Sequence, residues 1–193
     1  MAESETPESL WDNRYREDPA PREFSFFLNE VVNLLPISGT VVDIAGGNGQ
    51  NAIWFALKGF STTLIDISAV ALNQAQAQAK QKNVVLEYMQ HDLEKFHMPP
   101  ERQWDVAFMQ LFLDRELLKK IPDSLNTGGV FLFAHPTRTN LKKHAHPSNR
   151  FLLEVGEIYA LSTELRSMRI LKADEDWRAS GRHEAWLVAQ KIT

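Results

Sequence analysis

Asp43, Gly46, Gly47 and Gly49, followed by Gln50-Asn51-Ala52, make an acid-then-glycine run suited to cradling a nucleoside cofactor. Glycines take backbone conformations closed to other residues and let a ligand lie against the main chain, and a helix starting just beyond them offers free N–H groups. An acid ahead of the glycines favours a cationic ligand over a pyrophosphate. S-adenosylmethionine (SAM), with its ammonium and sulfonium, fits that charge; S-adenosylhomocysteine (SAH) would be the product. Gly47-Asn48-Gly49-Gln50-Asn51-Ala52 also satisfies G-x-G-x-x-A, so a nicotinamide- or flavin-binding protein is the competing reading.

Further polar residues recur at intervals. Asp66 lies 23 positions after Asp43, near the roughly 20 expected of a carboxylate that holds ribose hydroxyls, with helix capping as its alternative role; Ile67 joins it in the cofactor-binding set. Asp92 is placed to accept the adenine amine, or is an ordinary loop residue, and Leu93 can pack on the ring. Gln110 and Leu111 would line the methionine end, and Phe112 would wall the reaction pocket or pack in the core. The Asn/Asp-Pro-Pro-aromatic turn of enzymes that methylate amino groups of nucleic acid bases is absent there, which disfavours that class. His135, Arg182 and His183 are candidate catalytic groups on the acceptor side; a solvated hairpin mouth is the alternative for the last two. His144 and His146 have His-x-His spacing but no cysteine or suitably spaced carboxylate, so no metal site is expected and 135–150 reads as a polar loop bordering the pocket.

These residues need a scaffold. Strands are expected over 40–45, 61–67, 84–90, 104–110 and 130–134. Helices are expected up to about Pro36, over 51–58 with Gly59 as C-cap, from Ser68 to about Lys82, over 115–125 and near 151–161. Alternation of strand and helix implies a parallel sheet with right-handed crossovers. Strands at 168–173 and 184–190 are separated by a link too short for a crossover, so they must pair antiparallel. The expected fold is a doubly wound α/β domain, a mostly parallel seven-stranded sheet closed by an antiparallel C-terminal hairpin. Residues 1–193 form one domain in this reading, with 1–9 frayed and 10–36 making a lid and helix.

Composition narrows the partners. A net charge of −4 without a basic block argues against nucleic acid and anionic membranes, and no apolar stretch is long enough to span a bilayer. A cytoplasmic protein acting on a small molecule, as monomer or homodimer, is the expectation. The absence of cysteine excludes disulfides, zinc-thiolate sites and a cysteine nucleophile.

Trp11-Asp12-x-Arg14-Tyr15, the Asp43 to Trp54 run, Gly59-Phe60 leading to Leu64-Ile65-Asp66-Ile67-Ser68, and Arg182-His183-Glu184-Ala185 resemble class I SAM-dependent methyltransferases of the tellurite-resistance and thiopurine-type group. The resemblance implies an N-terminal segment carrying Trp11, Arg14 and Tyr15 over the cofactor, with Asp43, Gly46, Gly47, Gly49, Asp66 and Asp92 lining it. Two departures stand out: Ala45-Gly46-Gly47 in place of Gly-x-Gly, and Pro21-Arg22-Glu23-Phe24 in place of a tyrosine-glycine segment. A methyl carried on sulfonium is already activated, so alignment and exclusion of water can carry catalysis. The expected acceptor is soft or anionic, such as a thiol or a tellurite- or selenite-like oxyanion; an oxygen or amine acceptor would call on His135 or His183 as base. A protein or natural-product methyltransferase of the same fold, or a non-catalytic SAM- or NAD-binding protein, remains the alternative.

Overall fold

The computed structural model describes residues 6–96, 98–99 and 101–192, except for the side chain of Phe96. Its centre is the apolar run Val41-Val42 and Ile44, fully buried because helices cover both faces of the sheet. Strands β1 (Thr40–Ile44), β2 (Ser61–Asp66), β3 (Glu87–Gln90), β4 (Trp104–Gln110) and β5 (Leu125–Pro136) run parallel. β6 (Met168–Trp177) and β7 (His183–Lys191) pair antiparallel, and β7 inserts beside β5 in the order β3-β2-β1-β4-β5-β7-β6. The reversal of order between β1 and β4 opens a crevice at the strands' carboxyl ends, the usual place for a ligand in such sheets.

Alternation along β4 and β5 divides the core. Val106, Phe108, Val130 and Leu132 meet Phe27, Leu28, Trp54 and Phe55 on one face; Ala107, Met109, Phe131 and Phe133 meet Leu117, Leu118, Leu153 and Ile158 on the other. Helix α3 (Gln50–Leu57) belongs to the first face. α4 (Ala69–Gln81) buries Ala71, Leu72, Ala75 and Ala79, and Ser68 caps it by accepting the Ala71 N–H. The short α5 (Leu93–Phe96) follows β3.

Several boundaries differ from the sequence expectation. Pro7–Glu17 is a helix, α1, capped by Thr6 accepting the Ser9 N–H, so Pro7 to Ser9 are its first turn rather than frayed chain; residues 1–5 lie outside the described residues. α1 buries no residue, which is why no apolar period announces it. The next helix, α2, spans only Phe26–Val31 before a 3₁₀ turn. α6 (Arg115–Lys120) passes into a 3₁₀ turn at Ile121, where Pro122 cannot continue the α-helical ladder. β5 starts at Leu125, five residues ahead of the expected strand, and bulges at Gly128-Gly129, its register jumping from Trp104↔Leu125 to Val106↔Val130. α7 (Glu157–Glu164) begins six residues later than the expected helix, leaving Phe151 and Val155 outside it and exposed, and Tyr159 within it is exposed too.

Candidate cofactor and acceptor site

β1 delivers Asp43 to the floor of the glycine turn. Its carboxylate is 1% exposed and neither oxygen makes a hydrogen bond of good geometry. Burial pushes its pKa up to about 8, opposed in part by the nearby Ala52 N–H and reinforced by the charge of Asp66. Ala45 takes φ +52, the left-handed conformation a glycine more often supplies. A β-carbon on Gly46 would lie 2.5 Å from the Asp43 carboxyl carbon, one on Gly47 2.2 Å from the Tyr15 hydroxyl, and one on Gly49 2.7 Å from Ala75 on α4. Of the three glycines, therefore, Gly47 receives the Tyr15 hydroxyl of α1 against its face, Gly46 closes over Asp43, and Gly49 lets two helices meet.

Asp66 is held by two backbone donors, Gly47 N–H at 2.8 Å and Ser68 N–H at 2.9 Å. Burial raises its pKa, and these bonds oppose the shift. The capping role and a free face toward the cleft coexist, because each oxygen keeps a second lone pair. Beside it opens a cleft of about 530 Å³, mouth included, bordered by Asp66, Ile67, Asp92 and Leu93. Leu111 and Phe112 from the end of β4 close one side, with Leu111 at φ +59, and Pro7, Trp11 and Tyr15 of α1 form the roof. Two non-glycine residues in the left-handed region, Ala45 and Leu111, thus stand at the ends of neighbouring central strands, in a cleft where strain is commonly stored. Asp92 also binds its own helix, accepting Glu94 N–H and pairing with Lys95.

Other sequence candidates lie elsewhere. Arg14 stacks on Trp11 at 4.7 Å rather than bordering the cleft, and Gln110 ends β4 without lining it. Asn48 and Asn51 hold the segment after α1: Asn48 donates to Ala20 O, and Asn51 accepts the Ser25 N–H at 2.8 Å. His183 does not reach the cleft; its Nδ1 bonds Thr137 Oγ1 at 2.7 Å, and its N–H donates to Asn140. Arg182 lies exposed beside the hairpin turn. His135 is buried, its Nε2 donating to Phe151 O at 2.8 Å and Nδ1 unpaired, and burial lowers its pKa to about 4. Near it opens a second cleft that sequence reasoning missed, lined by Arg115, Arg138, Arg150, Asn149 and two glutamates. Glu157 pairs with Arg115 and Glu154 with Arg138, while Arg150 lies over the Phe151 ring. Arg115 is three residues past Phe112, so at most about 11 Å separates their backbones. These arginines are scattered in sequence, and only the packing of 149–154 beside Thr137 and Arg138 gathers them.

Residues 41–129, spanning β1 to the β5 bulge, match the family described as methyltransferase domain. This part of the chain, a little under half of its length, is similar to a methyltransferase domain. The fold is shared with TehB from Haemophilus influenzae (16% identity, TM-score 0.70, covering 94% of this chain and 67% of that one). It is shared too with the magnesium protoporphyrin IX methyltransferase of Synechocystis PCC 6803 with bound SAH (15%, 0.70, 95% of each chain). A third similar structure concerns conversion of a disulfide bond into a thioacetal group during echinomycin biosynthesis (16%, 0.72, 96% of this chain and 93% of that one). No curated protein matches the sequence. Among the described residues no helix is long and apolar enough to cross a membrane.

The residues present fit the cofactor of this domain: an unpaired buried carboxylate under a glycine that admits no side chain, with Asp66 and Asp92 at successive strand ends. Asp66→Ala is expected to lower ligand-free stability by about 1–3 kcal/mol, because two buried N–H groups lose their acceptor, and to weaken SAM binding by about 1.5–3 kcal/mol. Thermal melts and calorimetric titration separate the two effects. A stability loss with unchanged SAM affinity would leave Asp66 as a capping residue alone.

Proposed function

We propose that the protein transfers a methyl group from SAM to a small soft or anionic acceptor, with thiols and tellurite- or selenite-like oxyanions the first to try. The observation that carries the reading is the cleft itself, where Asp66 and Asp92 stand at successive strand ends, Asp66 accepts the Gly47 N–H and α1 forms the roof. SAM supplies a methyl on a cationic sulfur that leaves as a neutral thioether. Asp43, Asp66, Ile67, Asp92 and Leu93 would hold the cofactor, Trp11 and Tyr15 would exclude water, and Leu111 and Phe112 would shape the reacting end. A soft anionic nucleophile then needs alignment more than a base, which agrees with a His135 that is neutral and walled off from the SAM cleft.

The acceptor side is assigned to Arg115, Arg138 and Arg150 rather than to Arg182 and His183, because the arginines border a cleft whose Arg115 follows Phe112 by three residues and the other two border neither cleft. The resemblance to the tellurite-resistance and thiopurine-type group, with TehB among the similar folds, supports the small-acceptor reading. Titration with SAM, SAH and NAD tests the cofactor, and a radiolabelled methyl-transfer screen over thiols, chalcogen oxyanions, amines and carboxylates tests the acceptor. Arg150→Ala should raise the KM of an anionic acceptor by about 10-fold, the scale of one charge-assisted hydrogen bond, while SAM affinity stays level. Turnover of a protein or nucleic acid in preference to every small acceptor would overturn the substrate class.

A further inference from the structure

We propose that Asp12 is a positioning residue, a latch that couples docking of α1 to the turn carrying Asp66; the proposal rests on the cofactor assignment above. A continuous set of hydrogen bonds joins the glycine turn to the roof. Gly47 N–H and Ser68 N–H both donate to Asp66, at 2.8 and 2.9 Å. The Ser68 hydroxyl in turn donates to Asp12 Oδ1 at 2.6 Å, and Val70 N–H donates to the same oxygen at 3.2 Å. Ser68 Oγ also accepts the Ala71 N–H, so one hydroxyl closes the α4 cap and grips α1 at once.

The rest of the α1 interface makes Asp12 decisive. α1 has no buried residue to hold it by apolar contact, yet the Asp12 side chain is only 14% exposed. α1 also meets the rest of the protein through Gln74 donating to the Tyr15 carbonyl at 2.7 Å and Gln90 donating to Glu8. Asp12 Oδ1 lies at the N-terminus of the 13-residue α4, where N–H groups without an intrahelical partner need an acceptor. Tyr15, one turn further along α1, is thereby pressed onto Gly47. A ligand that engages Asp66 holds the Ser68 turn in the geometry Asp12 needs, and by linkage a docked α1 strengthens that ligand's binding by the same factor.

The test compares Asp12→Ala with Asp12→Asn, whose amide oxygen can still accept both bonds. Trypsin cleavage after Arg14, Arg16 and Arg22 in the ligand-free protein reports docking without any cofactor. Stopped-flow fluorescence of Trp11 reports SAH release. Asp12→Ala should be cleaved at least about fivefold faster and release SAH about tenfold faster than wild type, a change of about 1.4 kcal/mol in affinity if association is unchanged; Asp12→Asn should stay close to wild type in both. Wild-type behaviour of Asp12→Ala would overturn the latch, as would an Asp12→Asn as impaired as Asp12→Ala, which would shift the role to the ion pair with Arg16. Faster cleavage with unchanged SAH release would overturn the coupling. A wild-type protein that binds no SAH would overturn the cofactor assignment and the coupling with it, and the trypsin comparison would still read α1 docking separately.

Discussion

Removing residues 2–17 should lower methyl transfer by about 100-fold or more, equivalent to about 2.7 kcal/mol of transition-state stabilisation, while the sheet remains folded. α1 covers the cleft with Trp11 and Tyr15 but buries none of its own residues, so it contributes to the site and hardly to the core. Without it, water reaches the face of Gly47 and the Asp66 carboxylate, and the reacting centre loses the dry surroundings in which alignment is effective. Ligand-free melting temperature should move by only a few degrees, since no large apolar side chain leaves the interior. The measurement pairs a labelled transfer assay on the best acceptor of the screen with a thermal melt of each protein. Undiminished turnover in the shortened protein would remove α1 from the site.

Replacing Asp43 by asparagine should abolish a pH dependence that the wild type shows in both stability and SAM binding. An unfolded aspartate ionises near 3.9, whereas burial holds this one protonated up to about 8. The folded state therefore keeps a proton that the unfolded state has lost, and the group's effect on stability becomes steadily less favourable as pH rises from about 4 to about 8. At about 1.4 kcal/mol per unit the total reaches several kcal/mol, and above pH 8 the loss levels off. Asp66 faces Asp43 and adds to the cost of its charge, while the Ala52 N–H offsets part of it. A cationic ligand reverses the preference, so SAM affinity should climb by up to about tenfold per pH unit below 8, with proton release on binding, and flatten above. Calorimetry in buffers of different ionisation enthalpy counts the released proton; Asp43→Asn should release fewer protons than wild type and should be the more stable protein at pH 9. Wild-type stability and affinity that are both flat from pH 5 to 9 would show that the carboxylate is ionised throughout.

What the sequence by itself determined is the part set by local chemistry. Alternating apolar strands and amphipathic helices dictate a parallel sheet, the short link before Arg182 forces the last two strands antiparallel, and Asp43, Gly47, Asp66, Asp92 and Leu111 sit at strand ends that this topology must bring to one edge. The tertiary structure alone decided three things. α1 is held to the cleft through polar bonds from Asp12, Tyr15 and Glu8 to residues 56 to 82 positions away, which no periodicity records. Asn48 and Asn51, next to glycines and so legible as ligand contacts, spend their amides on the segment after α1, because buried side-chain amides bond to whatever backbone packs over them. His183, legible as a catalytic imidazole, is tied to Thr137 and Asn140, while Arg115, Arg138 and Arg150 converge only because the chain at 149–154 folds back beside Thr137. Strand ends follow from short-range pattern; side-chain partners follow from long-range packing, where a polar group bonds to the nearest donor or acceptor that burial leaves it.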